Sequence, residues 1–307
     1  MDQHFLPACY LDQFCLKEGK FYRIDCSLLK KGKKPYPLEV VPAAICYGRD
    51  FYALTDEFKK LYPAFKDYDR LFLEERFYRY ENVYPAIIGK IKKGIPVLTA
   101  AEAELLLFAL IDFKLRNDYV RKKNEQLRRD VVDKVFRETK ETPLLQQVAA
   151  SMKEEILSDP QFAKHSHLAT MMGREAAGSA IQEKFVRTMM RYKFTLMVSY
   201  GEFITSDNPG WTVSEDNRVH NIKFDENFHF LMPLTPMHCL SISHNDPDPA
   251  YESDPSKKKL YPVIADQEMI GDINRLSIDH FTNYLFAADK ATAERIAGEV
   301  KLKTPLA

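Results

Sequence analysis

The sequence predicts an α+β fold: a helix-rich single domain with long central helices and small antiparallel sheets. Three patterns predict it. A capped stretch at Thr99–Glu141 opens on seven consecutive apolar residues. Two further runs, Asp69–Lys92 and His165–Tyr200, carry apolar residues every three or four positions. Pairs of short, strand-like runs flank them at both ends of the chain.

The 307 residues are 45% hydrophobic and 29% charged, which supports a buried core. No linker or internal repeat forces a boundary, so residues 1–307 read as one mixed domain. A β-hairpin region spans 1–56, a helical core 57–200, and a strand-plus-helix part 201–300. Lys+Arg and Asp+Glu both number 44, so the chain lacks the basic excess of a protein that coats nucleic acid. Contact with a nucleic acid or nucleotide would fall to local patches at Lys30–Lys34, Arg121–Arg129 and Lys257–Lys259. The five cysteines form no C-x-x-C and are odd in number, the pattern of reduced thiols in a cytoplasmic protein. Met1-Asp2-Gln3-His4 is no signal peptide, and no apolar run approaches the ~20 residues that cross a bilayer. Cytoplasmic and without a membrane is the expectation.

In order, Pro7, Tyr10, Leu11 and Phe14 outline a short helix with His4 just before it. Lys20–Leu28 and Tyr36–Cys46 read as two strands around a lysine-rich turn, and Phe51–Leu54 as a third. In Asp69–Lys92, Glu81 shares the apolar face, and Pro85 cannot return a hydrogen bond to the carbonyl of Glu81, so a break is expected there. Thr99 and Glu102 form a capping box for the central helix. Leu105–Ile111 is apolar on all sides and therefore interior. Asp112 and Arg116, four apart, share a face where this buried segment ends. That helix should run to Pro143, with Leu144–Leu157 next and His165–Tyr200 as one long helix closed by Gly201. His165-Ser166-His167 reads as a capped surface pair. Glu202–Thr205 is a short strand entering the polar turn Ser206–Gly210. Phe228–Pro236 and His238–His244 pair, Asn245–Lys259 is an exposed loop, and Ile273–Val300 is helical.

Walker, dinucleotide-binding, zincin and nucleophile-elbow signatures are all missing. Polar residues at structurally awkward points remain, and element ends carry function more often than centres. His4, Glu81, Arg116 and Asp207 are the candidate catalytic set, with Asp112, Ser206, Asn208 and Asn274 as binding residues. Their chemistry suits phosphodiester cleavage, as in a nuclease. His4 would move protons near neutrality, and Arg116 would clamp a phosphate. Glu81 and Asp207 would orient water or hold a divalent cation, Mg²⁺ or Mn²⁺. The same residues suit a hydrolase or transferase of small nucleotides. They equally suit a non-catalytic binding or scaffold protein whose polar network is structural, with Trp211 among the exposed aromatics that meet a partner.

Gln3-His4-Phe5-Leu6-Pro7 followed by Tyr10-Leu11 and Phe14 resembles the opening of the family termed domain of unknown function 4238. Glu81, Arg116 at the end of an apolar helix, Phe203–Pro209, Pro233-Leu234-Thr235-Pro236 and Asn274 are similar to its later features. The chain departs after Arg116, where Asn117-Asp118 stand in place of a small residue and Pro. The resemblance implies a shared site and no particular reaction.

Overall fold

The computed structural model describes residues 2–16, 18–138, 151, 153–154, 161–177, 179–214, 218–220 and 227–300. The chain opens with β1 (Asp2–His4) and the short helix α1 (Ala8–Leu11), entered at Pro7. β2 (Phe21–Asp25) and β3 (Pro37–Val40) form the expected antiparallel hairpin, Phe21 facing Val40. Both strands are shorter than expected: β2 ends where Cys26–Lys31 winds into a 3₁₀ turn that Gly32 closes at φ 67°, and β3 ends before a second 3₁₀ turn at Pro42–Ala44. β4 (Tyr47–Arg49) returns to pair with β1. Residues 51–54, expected as a strand, are turn and coil after Asp50, which takes a positive φ of 49°.

Helix α2 (Asp56–Leu61) is capped by the Thr55 hydroxyl. The expected break in the next run is present. It divides into α3 (Phe72–Glu81) and α4 (Tyr84–Lys92), with Pro85 in the first turn of the second, where no N–H is needed. Strand β5 (Val97–Thr99) leads into α5 (Ala100–Leu115), whose capping box is formed in both directions. Leu106, Leu107, Ala109, Leu110 and Ile111 are buried, as a helix apolar on every side requires.

The central helix does not run on to Pro143. It breaks at Arg116-Asn117, and α6 (Asp118–Glu138) starts afresh. Asn117 causes the break: its Oδ1 accepts the Val120 N–H at 3.0 Å, the bond of an N-cap, whose own backbone is not helical. Pro143 lies outside the described residues, as does nearly all of the Leu144–Leu157 helix.

The long helix expected over 165–200 is two helices and a strand: α7 (Phe162–Ala177), α8 (Ser179–Met189) and β6 (Phe194–Val198). Phe194, Leu196 and Val198 alternate as a strand's residues do, and two neighbouring strands select the extended form. Gly201 therefore follows a strand and caps no helix. His165, Ser166 and His167 lie within α7 and are buried, correcting the surface reading. His165 packs near Phe58, and His167 near Phe51 and Tyr52.

Beyond β7 (Thr205–Ser206), β8 (Trp211–Val213) and β9 (Val219–His220), the expected hairpin forms from β10 (His229–Thr235) and β11 (His238–Ser243). Trp211, expected at the surface, is wholly buried. The supposed loop at 245–259 contains α9 (Pro249–Ser253) and the start of β12 (Lys257–Ile264). In β12 Lys258 is interior, paired with Asp248 at 2.7 Å, so the third basic patch loses its middle charge. The expected C-terminal helices are α10 (Gln267–His280) and α11 (Lys290–Glu299), with a strand, β13 (Tyr284–Ala287), between them.

The strands assemble into β1-β4, a four-stranded sheet β3-β2-β13-β7, and a seven-stranded sheet β5-β12-β6-β11-β10-β8-β9. The last is wider than the sequence suggested, and its β12–β6 pair is parallel. The fold is α+β. Its main core joins α4 and α5 to the wide sheet through Ile88, Ile91, Leu106, Leu110, Leu196 and Leu240. Each such side chain contributes about 1.5–3 kcal/mol on burial. A second core packs α11 on the smaller sheet through Ile24, Leu285 and Ile296. No helix among the described residues is long and apolar enough to cross a membrane.

Candidate functional site

The end of α5 is where this interior meets charge. A helix apolar all round leaves no wet face for its last turn, so polar groups there must find protein partners. Arg116 is 1% exposed. Its Nη1 lies 3.5 Å from Asp112 Oδ2, and its Nη2 donates to Glu81 Oε1 in a close ion pair. The guanidinium sits 4.5 Å over the Phe77 ring and 5.8 Å from that of Phe113. Glu81 ends α3, where the helix dipole disfavours an anion, and its side chain keeps 26% exposure. Glu74, on the same helix, is raised above the usual carboxylate range by burial, with Arg116 acting in the opposite sense. The Tyr52 hydroxyl donates to the Arg116 carbonyl at 2.5 Å, and the Tyr52 N–H donates to Gln3 Oε1. The N-terminal motif thus reaches the joint through Gln3.

A second polar group abuts the same helix end. Asn274 fixes the strand that enters the 206–210 turn, accepting the Ile204 N–H and donating to the Glu202 carbonyl, both at 2.8 Å. Ser206 Oγ donates to the Asn208 carbonyl at 3.0 Å and accepts the Asn208 N–H at 3.2 Å, closing the turn on itself. Asn208 Oδ1 accepts from Lys114 Nζ at 2.9 Å and from Asn117 Nδ2 at 3.1 Å. Asn208 Nδ2 donates to the His280 carbonyl at 2.6 Å. Lys114 also donates to the Gly210 carbonyl at 2.5 Å, and burial pulls its ammonium well below the usual lysine range. Gly210 is required here. Its φ is +71°, and a Cβ would lie 2.3 Å from Met232 Sδ.

Asp207 turns the other way. Its two carboxylate oxygens accept the Thr282 and Asn283 N–H groups at 2.8 Å each. Complete burial pushes its carboxyl up to about 7, those N–H bonds pull it down, and the charge of Asp118 adds to the rise. His4 is half-buried, with Nε2 3.3 Å from the Ala43 carbonyl and its ring edge-on to Tyr47.

The structure therefore gathers Glu81, Asp112 and Arg116 into one cluster. It brings Ser206 and Asn208 against Lys114 and Asn117 in another. Asn274 supports the second from behind. Among the described residues, no hydrogen bond or ion pair links His4 or Asp207 to the arginine cluster. No three His, Cys, Asp or Glu among the described residues are placed to hold a metal ion. Glu81 and Asp207 share no such group. Neither a cavity of about 540 Å³ beside the wide sheet nor one of about 670 Å³ between α2, α6 and α7 is lined by any of the four candidate catalytic residues.

Sequence reasoning missed Lys114, Asn117 and Tyr52. Lys114 left a signal, being a lysine inside the continuation of an all-apolar helix. Tyr52 left none, because its partner is a backbone carbonyl remote in sequence.

These features define an α+β protein with an interior polar joint at the end of a buried helix. A family model described as "Protein of unknown function (DUF4238)" matches residues 2–291, and the chain belongs to that family. No curated protein and no solved structure matches it.

Proposed function

We propose that this chain is a non-catalytic binding protein, and that the residues with phosphodiester-cleaving chemistry are the frame that fixes how its helices meet the 206–210 turn. Asn208 carries this reading. It is wholly buried, its side-chain oxygen is taken by Lys114 and Asn117, and its nitrogen by His280. Asp207 supports it, equally buried with both oxygens accepting backbone N–H groups. A general acid or base must come within hydrogen-bond reach of the substrate's proton, and a phosphate clamp must meet its phosphate. Asp207 and Arg116 spend those contacts on the protein.

Stability and cleavage, measured together, test the reading. In urea unfolding, Arg116→Ala should cost about 3–5 kcal/mol at pH 7, the effect of leaving its carboxylate partners uncompensated. Asp207→Ala should cost about 2–4 kcal/mol at pH 4, where the carboxyl is protonated and the Thr282 and Asn283 N–H groups lose their acceptor. Labelled RNA and DNA should stay intact with Mg²⁺, Mn²⁺ or EDTA. Variants as stable as the parent, or more so, together with cleavage that vanishes in His4→Ala and Asp207→Ala, would overturn it.

Two observations favour a second reading, hydrolysis of a phosphodiester in a polynucleotide or small nucleotide. The Asp207 carboxyl, near 7, lies where acid–base groups work. Arg116 Nε is buried and has no hydrogen-bond partner among the described residues, so one donor of the guanidinium stays unspent. The cleavage assay above decides between the two.

A further inference from the structure

The cavity of about 540 Å³ lies between the last turn of α4, the segment after α1, the β10–β11 turn and one face of β6 and β12. The period of a strand makes it apolar. Leu196 and Val198 fall on the same side of β6, and their register partners Pro262 and His238 fall beside them. Ile91, Leu260 and Pro236 complete the walls. The volume is that of a small-molecule site. Its lip is apolar too, with Leu16 57% and Met237 46% exposed.

Two nitrogen bases stand in this apolar surround. Lys92 Nζ donates to the neutral Gln13 Oε1 at 2.9 Å, and no carboxylate pairs with it among the described residues. Burial pulls its ammonium below the usual lysine range. His238 Nδ1 is 2.9 Å from Thr235 Oγ1, which leaves Nε2 without a protein partner among the described residues. Burial lowers the imidazole, and the Lys92 charge lowers it further, so the two groups lie close enough to oppose one another. A cation half out of water beside a second base, with no anion, is complementary to a carboxylate.

We propose that this cavity binds a small amphipathic acid, its apolar body on the β6–β12 face and its carboxylate paired with Lys92. The inference rests on the binding-protein reading and gives it a ligand class. Lys92 supplies the charge, His238 a second hydrogen bond, and the walls the larger part of the affinity through apolar area removed from water.

Titration calorimetry of the full chain with sodium octanoate tests it, with 1-octanol as the uncharged counterpart of equal apolar body. Octanoate should bind, and at least tenfold more tightly than octanol. Lys92→Met, which keeps the stem and drops the charge, should weaken octanoate at least tenfold and leave octanol unchanged. Val198→Trp, which fills the cavity, should abolish both. The proposal falls if octanoate does not bind the parent, binds no better than octanol, or is indifferent to Lys92→Met. Its failure is separable from that of the broader reading. Absent octanoate binding with strongly destabilised Arg116→Ala and Asp207→Ala removes only the ligand. Cleavage activity with those two variants fully stable removes the binding-protein reading, whatever octanoate does.

Discussion

Replacing Asp207 with asparagine takes one titrating proton out of the interior while keeping the side-chain shape. The carboxyl holds its proton up to about 7 in the folded chain, against an ordinary value of 3.8. Between those limits the folded state binds more protons than the unfolded one, so this group's contribution to stability declines as pH rises. It is complete below about pH 4 and gone above about pH 7. A gap of about three units corresponds to about 4 kcal/mol at 1.36 kcal/mol per unit. In the Asp207→Asn variant the amide accepts one of the Thr282 and Asn283 N–H groups and turns its own N–H toward the other. That costs about 1–3 kcal/mol at every pH. Urea unfolding of both proteins at each unit from pH 4 to pH 8 measures the difference, in which titrations distant from the site cancel. The parent should start ahead by about 1–3 kcal/mol at pH 4, lose about 4 kcal/mol across the range, and end less stable than the variant at pH 8. Parallel stability profiles would refute the reasoning, because they would mean that Asp207 is ionised in the folded chain throughout.

Three further substitutions probe the frame. Lys258→Met should cost about 3–5 kcal/mol in urea unfolding, since it strands the buried Asp248 carboxylate, and adding Asp248→Leu should restore most of the loss. Asn274→Ala leaves the Ile204 N–H and the Glu202 carbonyl without their side-chain partner and should cost about 2–4 kcal/mol by the same measurement. Gly210→Ala should lower the melting temperature by several degrees, because the new methyl meets both Met232 and a positive φ.

What the sequence disclosed was local. The Thr99–Glu102 box, the break before Pro85 and the Asp112–Arg116 pair each depend on residues within one turn of one another, and each is present. Strands β6 and β12 were hidden because their partners are remote. Phe194–Val198 carries an apolar pattern that a helix could also use, and the three lysines of Lys257–Lys259 read as solvent-facing until Asp248 is seen to neutralise the middle one. The α5–α6 break had a visible cause in Asn117, but a capping residue and a surface asparagine look alike without the Val120 N–H. At the candidate site the residue types were recognisable and their exposure was not. Asp207, Asn208 and Arg116 are polar in sequence and sealed in space, and burial decides whether such groups react or brace.

Strand β13 lies between β2 and β7, so the four-stranded sheet takes its middle from opposite ends of the described chain. Closing so long a loop is entropically expensive and slow. During synthesis, β2 pairs with β3 on one side only, its other edge stays open until β13 has left the ribosome, and the second core, which packs α11 on that sheet, waits with it. Fragments ending before residue 284 should therefore emerge with an unpaired strand and a bare apolar face, a state that invites aggregation.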